Sequence, residues 1–220
     1  MKFQEAMKQK RRHQHKDKLG GLLYQPASNI FLWIFMNLNI SANTVGFIMA
    51  MMSIVASFLF LTGVKDYLMI GSMLFIVAMI LDFTDGDVAR RTRIFSKTGL
   101  FFDHIHHTCE ELFTFLGLGL LVGMPDLGLM ITFLILIPNY FRATMFWLMK
   151  KDLSYEMKYR KLPLVLIYGD FFKWWHLIIL ISLIFNLEYY IIYIAFIWAA
   201  VRFIPNIYIY FYECELYDKT

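Results

Sequence analysis

Charge is scarce in this chain. Asp, Glu, Lys and Arg make up 17% of 220 residues, against 59% hydrophobic and 18% aromatic, a balance that excludes an ordinary soluble domain. Cysteine is nearly absent: Cys109 and Cys214 have neither CxxC nor metal-type spacing, so no disulfide framework is expected. No internal repeat is visible, which argues against a transporter built from paired halves. No apolar core follows the basic start closely enough to form a secretory signal.

What fills the chain instead is hydrocarbon. Six apolar stretches, at about 43–62, 67–88, 99–121, 126–149, 163–185 and 189–211, each approach the ~20 residues that a bilayer requires. All six should be helices, because lipid tolerates no open sheet edge. Short connections make neighbours antiparallel. Before them, residues 1–25 carry seven Lys and Arg. Without a nucleic-acid-binding motif, that strip is read as attracted to anionic headgroups rather than to nucleic acid. Pro26 then opens an apolar stretch, Ala27 to Leu38, too short to span and expected to lie in the interface. The fold class expected is an all-α polytopic membrane protein with six transmembrane helices and an amino-terminal interfacial amphipathic helix. Residues 1–38 would form the basic arm and interfacial helix, and 39–220 the transmembrane domain.

Lys and Arg are also unevenly placed. The arm, the turn after the second span (Arg90, Arg91, Arg93, Lys97) and the turn after the fourth (Lys150, Lys151, Lys158, Arg160, Lys161) hold 16 of the 21, whereas the other three turns hold only Lys65. By the positive-inside rule both termini face the cytoplasm of a multi-pass cell-membrane protein.

Acidic groups gather at one of those basic turns. Asp82, Asp85 and Asp87 close the second span, and Asp103 and His107 lie near the start of the third. Asp82 and Asp85 share a helix face that Ala89 continues, and Asp103 and His107 are one turn apart. If the two segments pair through residues 91–98, oxygen and nitrogen ligands converge from both. Hard cations favour carboxylates completed by water and substrate phosphate, so the array reads as a metal phosphate site. Gly86 and Gly99 would let a phosphate or nucleotide approach backbone. The plainer alternative is a solvated helix end paired with Arg90, Arg91 and Arg93.

The run D-x-x-D-G-x-x-A-R-x(8)-G-x-x-x-D over Asp82 to Asp103 resembles the signature of the CDP-alcohol phosphotransferase family, with every fixed residue present across 22 positions. The resemblance implies a membrane enzyme that moves a phosphoalcohol or phosphatidyl group from a CDP-activated donor to an acceptor alcohol, releasing CMP. It implies Mg2+ or Mn2+ on Asp82, Asp85, Asp103 and His107, with catalytic roles for Asp103, His107 and Arg90. Nucleotide contacts would come from Asp82, Gly86, Ala89, Arg90 and Gly99, in a cytoplasmic site. It also allows a homodimer. The family pattern ends on one further Asp four residues after Asp103, regarded as general base, where this chain has His107. An imidazole can take that proton at neutral pH. His106, Glu110 and Glu111 are near enough along the helix to substitute. Because that Asp is missing, a catalytically silenced scaffold is the competing reading. The segment Asn39 to Thr44 loosely resembles the family's lead-in to its first span, and by itself reads as a helix cap.

Ionisable residues recur in the later spans: Arg142, Asp170, Lys173, His176 and Arg202. They share one depth with the Asp cluster and outline a polar cavity. Arg142 and Arg202 either snorkel to the interface or fork onto a donor or acceptor phosphate. Asp170 and Lys173 either pair with each other or join them in acceptor binding. His104, His106 and His176 read as structural or interfacial.

Overall fold

In the computed structural model, residues 18–149 and 174–218 are described. They form seven helices: α1 (Lys18–Asn37), α2 (Ala42–Leu61), α3 (Lys65–Thr92), α4 (Lys97–Leu121), α5 (Pro125–Met149), α6 (Trp175–Ile184) and α7 (Glu188–Asp218). No strand occurs among the described residues. The first four apolar stretches coincide with α2 to α5 within a few residues, and the sixth lies inside α7. Only the end of the fifth, as α6, is among the described residues.

The turns are built alike. Each connection between described neighbours carries one left-handed residue: Asn39, Gly63, Arg93, Gly123 and Asn186. Asn and Gly tolerate that conformation well, and one such residue reverses the chain in three or four positions. Helix starts are capped where the sequence offers hydroxyls. Ser41 accepts from the Thr44 amide at 3.2 Å, and Ser96 accepts from the Gly99 amide at 2.9 Å, each filling an amide that helix geometry leaves open.

The amino-terminal helix departs from expectation. It starts by Lys18 rather than at Pro26, which lies inside it. A helix-interior proline forgoes one backbone bond, and Pro26 sits on the exposed face. Tyr24, Ser28, Asn29 and Leu32 are buried on the other side, the Ser28 hydroxyl lies 3.1 Å from the Thr84 hydroxyl of α3, and Tyr24 stacks on Phe83. The helix is docked on α3 as well as apolar.

α2 packs along both α3 and α4, α5 follows on α4, α7 on α5, and α6 on α3, while α3 and α4 touch little directly. Phe60, Phe75, Phe115, Leu118, Trp175 and Ile179 fill the main core, and Val45, Met49, Ala78 and Leu81 a smaller one. Helix approach in an apolar solvent depends on small residues. A Cβ at Gly117 would lie 2.5 Å from the Phe60 carbonyl oxygen, and one at Gly128 2.5 Å from that of Phe115. Outer faces are apolar too, with Phe58, Phe133 and Ile197 more than half exposed, the inverse of a water-facing surface. Among the described residues, α2 and α3 are long and apolar enough to cross a membrane. Lys65, the lone cation of its three turns, meets Glu188 at 3.3 Å and Asn186 at 2.5 Å, tying the start of α3 to the α6–α7 turn.

Candidate metal and phosphotransfer site

The site forms where α3 ends and α4 begins. Ser96 donates to Asn43 Oδ1 at 2.5 Å while accepting from Gly99, which pins the first turn of α4 to the first turn of α2. Gly46 of α2 lies between the two motif helices: a Cβ there would lie 3.4 Å from Phe102 and 3.5 Å from Asp85 Oδ2. With α2 between them, α3 and α4 face one another mainly through side chains. Asp82, Asp103 and His107 bring ligand atoms within 4.8 Å of one another, and Asp85 has Asp82, Asp103 and Arg90 as electrostatic neighbours. The convergence expected from spacing is therefore present, with Asp85 beside the set on the α2 side.

His107 is held on two sides. Nε2 lies 3.5 Å from Asp103 Oδ1, and Nδ1 is hydrogen-bonded to Glu110 Oε2 at 3.4 Å. Glu110 is fully buried and, as a carboxylate, can only accept, so Nδ1 carries the proton. In the neutral ring Nε2 is then the lone-pair nitrogen, and it faces the Asp103 and Asp82 carboxylates. Two carboxylates and the lone pair of a neutral imidazole are a donor set suited to a cation.

The remaining motif residues are placed as follows. Arg90 Nη2 lies 2.6 Å from Asp87 Oδ1, so Asp87, which sequence reasoning left without a role, anchors Arg90. Gly86 lies against the Arg90 guanidinium, where a Cβ would meet Nη1 and Nη2 at 3.2 Å, and Gly99 faces Asn43. Ala89 continues the face of Asp82 and Asp85, half-buried. Arg202 stacks over Trp198 at 5.1 Å and is an electrostatic neighbour of Glu111. Arg142 is on α5, but its side chain lies outside those described, and Asp170 and Lys173 lie outside the described residues.

A family model, CDP-alcohol phosphatidyltransferase, matches residues 39–204. The chain belongs to this family. No match is found among curated proteins. The family is one of membrane-associated transferases that use a CDP-alcohol donor, an alcohol acceptor and a divalent metal. The donor set here fits such an ion: Asp82, Asp85 and Asp103 offer the carboxylate oxygens that hard cations prefer, and His107 adds one nitrogen.

Sequence reasoning offered Glu110, Glu111 and His106 only as substitutes for His107, and otherwise read His106 as structural. The fold makes Glu110 the partner of His107, while the adjacent Glu111 turns the other way and accepts from Asn139 Nδ2 of α5 at 2.6 Å. The available signal was a carboxylate three residues after an imidazole in an apolar helix, a spacing that puts both on one face.

Proposed function

We propose that this protein is an integral membrane phosphotransferase that moves a phosphatidyl or phosphoalcohol group from a CDP-activated donor to an acceptor alcohol, with release of CMP. The observation that carries the reading is the convergence of Asp82, Asp103 and His107 from two helices, beside Asp85 and an anchored Arg90. The reading includes six membrane spans in a single domain over residues 39–220, with the basic arm, both termini and the site on the cytoplasmic side. The apolar outer faces and the distribution of Lys and Arg support it.

The family's metal would rest on Asp82, Asp85 and Asp103, where it would supply charge neutralisation for the donor pyrophosphate. Three carboxylates already meet a hard cation's preference, so the reading assigns the His107 Nε2 lone pair to the acceptor. His107 takes the acceptor hydroxyl proton. The acceptor oxygen then bonds to the distal phosphorus as the bridging P–O bond breaks, and CMP leaves with that electron pair. Glu110, holding Nδ1–H, keeps Nε2 turned to the acceptor. Arg90, fixed by Asp87, neutralises phosphate, and Arg202 and Arg142 are the further cations assigned to donor or acceptor phosphate, with Asp170 and Lys173 assigned to acceptor binding.

The test is CMP release by purified protein in nanodiscs with Mg2+ or Mn2+, across CDP-activated donors and alcohol acceptors. Turnover lost in Asp85→Asn supports the reading. The imidazole standing where the family pattern has its last Asp favours one rival, a silenced relative. Absence of turnover in the wild type, with activity gained in His107→Asp, would establish that rival.

A further inference from the structure

Behind His107, on the side away from the carboxylates, the polar atoms do not close on themselves. Ser53 has one hydroxyl proton and donates it to Met49 O at 2.8 Å. Its 2.8 Å contact with His106 Nδ1 must therefore be donated by the imidazole, which leaves the His106 Nε2 lone pair bare when the ring is neutral. That nitrogen is fully buried, has no hydrogen-bond partner among the described residues, and lies 3.9 Å from Glu110 Oε2. Glu110 Oε2 is also 3.4 Å from His107 Nδ1. The other carboxylate oxygen lies 3.1 Å from His176 Nδ1, not aligned as a hydrogen bond, and has no hydrogen-bond partner among the described residues. A buried imidazole lone pair aimed at a buried carboxylate is costly unless something positive lies between them.

We propose that His106, His107 and Glu110 form a second cation site, selective for a transition metal of the zinc type. Their ligand atoms lie within 4.8 Å of one another. Two zinc ligands at about 2.0–2.1 Å subtend roughly 3.3 Å across a tetrahedral angle. The 3.4 Å pair already matches that spacing, and the 3.9 Å pair closes with a shift of about half an ångström. Two imidazoles and one carboxylate suit zinc and disfavour Mg2+. The supporting contacts that such ligands need are also in place. Ser53 accepts from His106 Nδ1 and orients it, and His176, whose Nε2 contacts the Thr114 hydroxyl at 2.9 Å, places Nδ1 3.1 Å from Glu110 Oε1. Entry is past His107, whose side chain is 38% exposed.

The site rests on these atoms and not on the transferase reading. If that reading holds, zinc here inhibits. Coordination at Nδ1 moves the imidazole proton to Nε2, the atom that would otherwise accept the acceptor's proton.

The test uses full-length protein in nanodiscs, stripped with chelator and titrated with Zn2+, Co2+ or Mg2+ while thermal midpoint and visible absorption are followed. Zinc should raise the midpoint, and Co2+ should give the visible bands of a four-coordinate nitrogen and oxygen site. His106→Gln should weaken zinc binding at least about tenfold, and Ser53→Ala, which spares the ligand itself, several-fold. Asp82→Asn should leave the zinc response intact while removing the Mg2+ response. A zinc response unchanged in both His106→Gln and Ser53→Ala overturns the proposal. So does one abolished by Asp82→Asn, which would place the ion among the carboxylates, or the lack of any zinc response in folded wild-type protein. None of these outcomes depends on turnover.

Discussion

His107 and Glu110 meet at 3.4 Å through Nδ1 and Oε2, on the edge of the imidazole opposite Asp103. The contact fixes which nitrogen carries the proton, so its loss should be felt in turnover more than in substrate binding. Glu110→Ala should lower kcat by about 10–100-fold with KM little changed, and Glu110→Gln, which still offers an acceptor oxygen, should recover most of it. CMP release normalised to folded protein measures this. Equal loss in both variants would mean that the acceptor is not what matters.

Arg90 pairs with Asp87 at 2.6 Å, and Asp87 is almost fully buried. On the proposed function Arg90→Ala removes a phosphate contact, and it also takes the Arg90 ion pair from a buried carboxylate. The double variant Arg90→Ala/Asp87→Asn should regain thermal stability without regaining affinity for the CDP-linked donor. A donor KM restored in the double variant would reduce Arg90 to a structural partner.

Gly117 has no room for a side chain against the Phe60 carbonyl. Gly117→Ala should cost about 1–3 kcal/mol, seen as a lower unfolding midpoint in detergent. At Gly46 an added methyl meets Phe102 and Asp85 at ordinary contact distance. Gly46→Ala should therefore fold normally, and an equal loss of stability at the two positions would contradict this packing.

Lys65 and Glu188 pair at the far end of the bundle, both partly exposed. Lys65→Met should cost at most about 1 kcal/mol and leave CMP release unchanged, because no motif residue touches that pair. A large fall in turnover would mean that the two ends are coupled.

Helix positions were legible because long apolar runs end at polar turns, and the boundaries of α2 through α5 follow from that alone. Lys18 was missed as a helix start because Pro26 looks like one, while an exposed face lets the helix run through it. On the motif, three- and four-residue spacings put Asp82 with Asp85 and Asp103 with His107 on common faces, and the fold then brings Asp82, Asp103 and His107 together. Spacing could not show that Glu110 and Glu111 point to different neighbours, since that depends on which helix lies on each side. Depth arguments placed Arg202 at the level of the site. They carried no information on rotation about the helix axis, and its neighbours are Trp198 and Glu111.

α2 contributes no ligand to the metal set, yet it lies between the two helices that do, with Gly46 touching both sides. The separation of the two ligand-bearing helices is thus set by a spacer outside the motif. Swapping Gly46 for progressively bulkier residues is a way to change the spacing between Asp85 and the helix that carries Asp103 and His107 while every signature residue stays as it is.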